Sequence, residues 1–234
     1  MSAGANIPVQ QRSPRVEARL AGVFYLLNIA TIFLAILFFR GLFVSGDLAA
    51  TATNLAAHSI LFRLGFASEM ISTACSVCVA AFLYELFKPV DSNLFLLAAF
   101  FRLLACATAA MSYMFQVAPF QLARHGPSFI ALKLDTLQAL SALVSAFHAH
   151  TSNILLVFFG FHFMLVGYLI LRSRTVPRVL GLLVISAGFG ALIFLAPPIG
   201  TSLFPYFAGL GLMAELSLTA WLLFGSGDPL GRYL

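Results

Sequence analysis

Long apolar runs alternate along this chain with short breaks that carry charge, proline or glycine. A helix of about 20 apolar residues crosses the hydrocarbon core of a bilayer. On that measure the pattern predicts six transmembrane helices, over residues 20–39, 61–87, 94–118, 148–171, 179–196 and 203–224. Lys88 and Pro89, followed by Asp91, Ser92 and Asn93, read as a tight turn between the second and third. Pro119, Gly126 and Pro127 open a longer connection, Arg172, Arg174, Pro177 and Arg178 form a basic one, and Pro197 with Pro198 stops the fifth run. The first run is too long for the apolar region of a signal peptide and no small-x-small site follows it, so it reads as a retained span.

Two shorter elements complete the expected layout. Asp47 is placed to cap a short helix over residues 48–58 in an outer loop, with Ser59 as a second cap. Over residues 134–147, Leu134, Leu137, Leu140, Leu143 and Phe147 recur at helical spacing opposite Asp135, Gln138, Ser141 and Ser145. That stretch is expected to lie in the membrane interface rather than to span. The fold class is therefore an all-α integral membrane protein, with residues 1–19 and 225–234 as cytoplasmic tails around a single transmembrane domain.

Composition supports this and closes other readings. Of 234 residues, 61% are hydrophobic and 9% charged, and the mean hydropathy is +1.00. Ordinary soluble domains carry about 25% charged residues. A soluble enzyme, a nucleic-acid binder and a disordered chain are excluded, since none fits so little charge. The net charge of +5 is scattered over segment ends, where it encodes orientation. With the N-terminus inside, the inner loops hold Arg12, Arg15, Arg19, Lys88, Arg172, Arg174, Arg178 and Arg232, against Arg40, Arg63, Arg124 and Lys133 outside. The positive-inside rule then places both termini in the cytoplasm.

A few ionisable groups do not sort to the ends. A charge near the middle of a span costs about 2.5–3.5 kcal/mol on insertion scales unless it finds a partner or water. At about 1.5 Å per residue, Arg102, His162, Glu215 and the polar Asn28 fall at a similar level in the inner half of the membrane. Their helix stripes carry small and polar residues, as helix contacts in lipid select: Ala105, Cys106, Ala109 and Tyr113 beside Arg102, Gly211 and Thr219 beside Glu215, Tyr25 and Thr31 beside Asn28. The expectation is that Arg102 pairs with Glu215, with His162 and Asn28 adjacent. The plainer alternative is an ion pair that fixes helix register and does nothing else. Glu69 lies toward the outer side, on a stripe with Ser72, Thr73 and Ser76, and Tyr113 and Gln116 reach its level. These form an outer polar path, or Glu69 is only a carboxylic acid buried in its neutral form.

Other signals point to packing. Cys75 and Cys78 have the spacing of a redox or zinc half-site but lie mid-span with no second pair, and Cys106 is equally isolated. His148 and His150 with His162 are compatible in spacing with haem ligation, but the remaining histidines, His58 and His125, fall in outer loops. No metal, cofactor or catalytic set is assigned. Gly160, Gly167, Gly181, Gly188 and Gly190 read as packing notches, because no strand precedes any of them.

Several stretches stand out together: Ala18-Arg-Leu-Ala-Gly-Val-Phe-Tyr-Leu-Leu27, Gly46-Asp-Leu-Ala-Ala-Thr-Ala52, Leu61-Phe-Arg-Leu-Gly-Phe-Ala67 and Leu97-Ala-Ala-Phe-Phe-Arg102. Further along come Val157-Phe-Phe-Gly-Phe-His162, Gly167-Tyr-Leu and Pro177-Arg-Val-Leu-Gly181. In their order and spacing they resemble an uncharacterised family of bacterial multi-pass membrane proteins, the domain of unknown function family 4386. The resemblance implies a helical bundle of the same layout, with Arg63, Arg102, His162 and Glu215 in recurrent segments. It implies no activity, substrate or cofactor.

The leading functional expectation is binding or transport of a small anionic or amphipathic molecule, a metabolite or lipid, at the Arg102, His162 and Glu215 cluster, with the lipid bilayer as the general partner. A structural or sensory subunit in which the cluster only packs is the second reading. An intramembrane enzyme on a lipid-like substrate ranks third, because His162 and Glu69 are its only acid–base candidates and lie at different depths.

Overall fold

The computed structural model describes residues 13–44, 48–124, 134–173 and 175–225. Asp47, His125, the charges of Arg12, Lys133, Arg174 and Arg232, and the tail beyond Gly225 lie outside the described residues, as do the side chains of Arg124, Asp135, Leu137, Gln138 and Ser141. Within the described residues the chain is helical, without strands: α1 Pro14–Phe39, α2 Leu48–Ala57, α3 Ser59–Arg124, α4 Leu134–Ser173, α5 Arg178–Leu192 and α6 Pro197–Ala220. A 3₁₀ turn, Ile193–Leu195, follows α5, and a π turn, Trp221–Gly225, closes α6. Five helices among these are long and apolar enough to cross a membrane. Ile36, Val179 and Phe224 show how they meet their surroundings, with 59%, 73% and 86% of their surface bare. This is the architecture of a membrane protein.

The helix α3 carries the second and third expected runs without a loop, yet it is not straight. At Asp91 the backbone leaves helical geometry (φ −165°, ψ 99°), and the limbs on either side, residues 59–90 and 92–124, fold back on each other. Arg102 bonds to Ser76, Gln116 to Glu69, and Phe87 stacks on Phe95 with centroids 5.6 Å apart. In a straight helix the first two pairs would be about 39 and 70 Å apart. The corner is held by Asp91 itself. Its Oδ1 accepts the Leu94 amide at 3.0 Å, as an N-cap does, and its Oδ2 accepts from Arg172 Nη1 at the end of α4, also at 3.0 Å.

Four boundaries differ from expectation. The third run does not end at 118: its helix continues through Pro119 to Arg124, where the sequence predicts a connection. Pro197 and Pro198 start α6 rather than merely ending α5, so the last helix begins six residues before 203. Proline suits the first helical turn, where its missing N–H would be unpaired in any case. For the same reason α1 starts at Pro14, inside the expected tail. The amphipathic stretch at 134–147 is continuous with the following span in one 40-residue helix, because neither Gly nor Pro interrupts Leu134 to Phe159. Elsewhere Gly41 ends α1 with φ 79°, a conformation that side chains with a Cβ resist.

The α4 and α5 helices approach closely through paired glycines. A Cβ on Gly160 would lie 3.0 Å from the Gly188 carbonyl and one on Gly188 2.9 Å from that of Gly160, while Gly167 and Gly181 stand in the same reciprocal relation at 2.7 and 3.0 Å. Small residues are what permit backbones this near in lipid. The two ends of the bundle are packed differently. Toward the Asp91 corner, Tyr25, Leu83, Phe87, Phe95, Leu169 and Leu218 form a continuous core. Toward α2 the described residues form a smaller cluster in which Phe62 stacks on Phe120 at 4.3 Å.

Candidate functional site

Arg102, on the second limb of α3, is fully buried. Its helix turns it toward the first limb, α1 and α4, and each supplies an acceptor. Nε donates to the Ser76 carbonyl and to Ser76 Oγ, both at 3.0 Å. Nη1 donates to Tyr25 Oη at 3.0 Å and to His162 Nε2 at 3.1 Å. The other ring nitrogen of His162, Nδ1, lies 2.9 Å from the Ala98 carbonyl, one helical turn before Arg102. A carbonyl only accepts and a guanidinium only donates, so the partners require Nδ1–H and a free lone pair on Nε2. In this arrangement His162 is neutral, and its lone pair is occupied by Arg102. The guanidinium also stands over the Tyr25 ring (4.9 Å) and the Phe159 ring (5.6 Å). Such contacts favour a desolvated cation. Nη2 has no hydrogen-bond partner among the described residues.

The expected Arg102–Glu215 pair is not formed directly. The two charges act on each other through space, but no ion pair within 4.0 Å joins them, and Glu215 hydrogen-bonds to none of the described residues. Neutral acceptors on α1, α3 and α4 meet Arg102 first, because those helices surround it while Glu215 comes from α6. Asn28 is nearby but joined elsewhere: its Nδ2 donates to Ser72 O and Oγ at 2.8 Å, and Ser72 Oγ donates to the Asn28 carbonyl at 3.1 Å. One turn separates Ser72 from Ser76, so the two polar links bind α1 and both limbs of α3 at successive levels.

Glu69 and Gln116 meet as their depths imply. Gln116 Nε2 donates to Glu69 Oε1 at 3.4 Å, and the remaining oxygens, Glu69 Oε2 and Gln116 Oε1, have no partner among the described residues. His148 packs against Ser112, with Nδ1 2.9 Å from its Oγ. Cys75, Cys78 and Cys106 are free thiols, and no group of three metal-ligating side chains occurs among the described residues.

What the sequence did not reveal is a cavity of about 370 Å³ inside the bundle. Its wall takes Asn28, Ser72, Thr73, Ser76 and Tyr113 from α1 and α3, and Glu215 from α6. The rest is apolar, with the rings of Phe159, Phe163, Phe194, Phe204 and Phe207 prominent. Arg102 lies behind this wall, hidden by Ser76 and Phe159, which both touch it and line the cavity. Phe159 was missed as a site residue, although its place three residues before His162 puts it on the same helical stripe. From each helix the lining residue nearest the packed core is Asn28, Ser76, Cys106, Phe163, Ala187 or Glu215. The cavity therefore occupies the half of the bundle away from the Asp91 corner, and Glu215 stands at its floor.

No curated protein and no solved structure matches the chain. A family model described as Domain of unknown function (DUF4386) matches residues 20–225, a span that includes all the residues just described, and the chain belongs to that family.

Proposed function

We propose that this protein binds a small amphipathic molecule in the intramembrane cavity between α6 and the rest of the bundle. The observation that carries this is the cavity itself: its volume lies within the usual range for small-molecule sites, and it is lined by apolar rings with a few convergent polar groups. The continuous core below the floor favours binding over passage, since a molecule would have to part the helices to go further. We also read the two limbs of α3 as separate crossings, which makes six spans. The ends of α1 and α4 that carry Arg15, Arg19 and Arg172 then face the cytoplasm of a bacterial cell with Lys88 and Arg178, and the cavity belongs to the outer leaflet.

The test is ligand-induced thermal stabilisation of the purified protein in a non-ionic detergent, screened against single-chain amphiphiles and lipids. A ligand at a hundred times its Kd stabilises by about 2.7 kcal/mol. A Cβ on Gly211, which lines the cavity, would meet nothing within 4 Å. Gly211→Phe is expected to fold with unchanged basal stability and to lose the response. A screen without a responsive compound, or a Gly211→Phe protein that responds like wild type, overturns the reading.

A further inference from the structure

We propose that the molecule held in the cavity carries a cationic head group, an amine or a quaternary ammonium, seated against Glu215 at the cavity floor. The inference rests on the binding reading above and specifies its ligand. Among the cavity-lining residues Glu215 is the carboxylic acid, and it meets the cavity with its carboxylate joined to no described residue by hydrogen bond or ion pair. A carboxylate in a largely apolar chamber gains most from a partner of opposite charge that arrives with its own hydrocarbon.

The positive charge nearby does not fill that role. Arg102 is fully buried, and three of its N–H groups are committed to Ser76, Tyr25 and His162. It acts on Glu215 through space, with no hydrogen bond or ion pair between them, and being fully buried it offers no surface to an incoming anion. An anionic head group would meet Glu215 directly and Arg102 only across the wall. The rings of Phe159, Phe163 and Phe207 also line the cavity, and aromatic faces attract cations, quaternary ammonium groups in particular. Arg102 itself is held over the Phe159 ring, 5.6 Å from its centroid. Carboxylate and rings thus select the same head-group charge.

The experiment compares three ligands with the same ten-carbon chain, decyltrimethylammonium, decanol and decyl sulfate, by titration against the wild-type protein in non-ionic detergent. The ammonium compound is expected to bind at least tenfold more tightly than decanol, which corresponds to about 1.4 kcal/mol, and decyl sulfate more weakly than either. Glu215→Gln is expected to reduce the ammonium preference to less than threefold while leaving decanol binding unchanged. Equal binding of decanol and the ammonium compound by wild type, or tighter binding of the sulfate, overturns the head-group assignment while leaving the cavity reading intact. Should none of the three bind, while a ligand of other shape is displaced in Gly211→Phe, the assignment fails alone; with no ligand at all, both fail. Because the wild-type comparison decides by itself, the result does not depend on the folding of Glu215→Gln.

Discussion

Arg102 has five N–H groups, and Ser76, Tyr25 and His162 take the three on Nε and Nη1. A guanidinium so placed gains charge-assisted hydrogen bonds from neutral groups, each stronger than a neutral pair. The stabilisation depends on every acceptor being present. Removing one leaves a buried donor without a partner, which costs about 1–3 kcal/mol. Tyr25→Phe should therefore destabilise the wild type by about that amount, as measured by unfolding in mixed micelles with a denaturing detergent. In an Arg102→Met background the same change should cost about 0.5 kcal/mol or less, since no donor is then stranded. Equal effects of Tyr25→Phe in both backgrounds would mean that the phenol acts by packing alone. At this scale the sequence placed Arg102, His162, Asn28 and Glu215 at one depth, because depth follows from counting residues along a helix. It did not show that Tyr25 and Ser76, rather than Glu215, complete the guanidinium, because partner choice depends on how each helix is rotated.

Helix pairing in this bundle relies on what is missing from side chains as much as on what is present. Where α4 meets α5, the glycines at 160 and 188 and at 167 and 181 bring backbone carbonyls to the place a Cβ would occupy. Gly188→Ala or Gly167→Ala must push the helices apart, with an expected loss of about 1–3 kcal/mol. Gly209 offers the control: nothing lies within 4 Å of its Cβ position. Gly209→Ala should be neutral or stabilising by about 0.5–1 kcal/mol, through the better helix propensity of alanine. If thermal unfolding shows the three alanine variants to be alike, the glycines serve the helix conformations and not the contact. The notch reading of these glycines was open to the sequence. Their reciprocal pairing was not, because two runs of suitable spacing match several registers until side chains such as Leu192 and Met164 settle one.

Taken as a whole, the molecule is packed at one end and hollow toward the other, with the buried Arg102 near the boundary and Glu215 at the floor of the hollow. The corner at Asp91 lies at the packed end, where Arg172 reaches it from α4. If six spans alternate as proposed, Arg40→Cys should react in intact cells with a membrane-impermeant maleimide, while Arg178→Cys should react only after permeabilisation. The opposite pattern would invert the topology, and reaction of both in intact cells would refute the span count. Composition and apolar run length determined by themselves that the chain belongs in lipid, which runs form its helices though not where each of them ends, and which ionisable groups lie deep in them, because burial in a bilayer is set by hydropathy and by a rise of about 1.5 Å per residue. Only the tertiary structure decided that Asp91 folds α3 back on itself, that Arg102 takes its hydrogen bonds from Ser76, Tyr25 and His162 and none from Glu215, and that a cavity stands open beside that carboxylate. Those are matters of rotation and lateral distance between helices, and such distances arise only when side chains from separate helices compete for the same space.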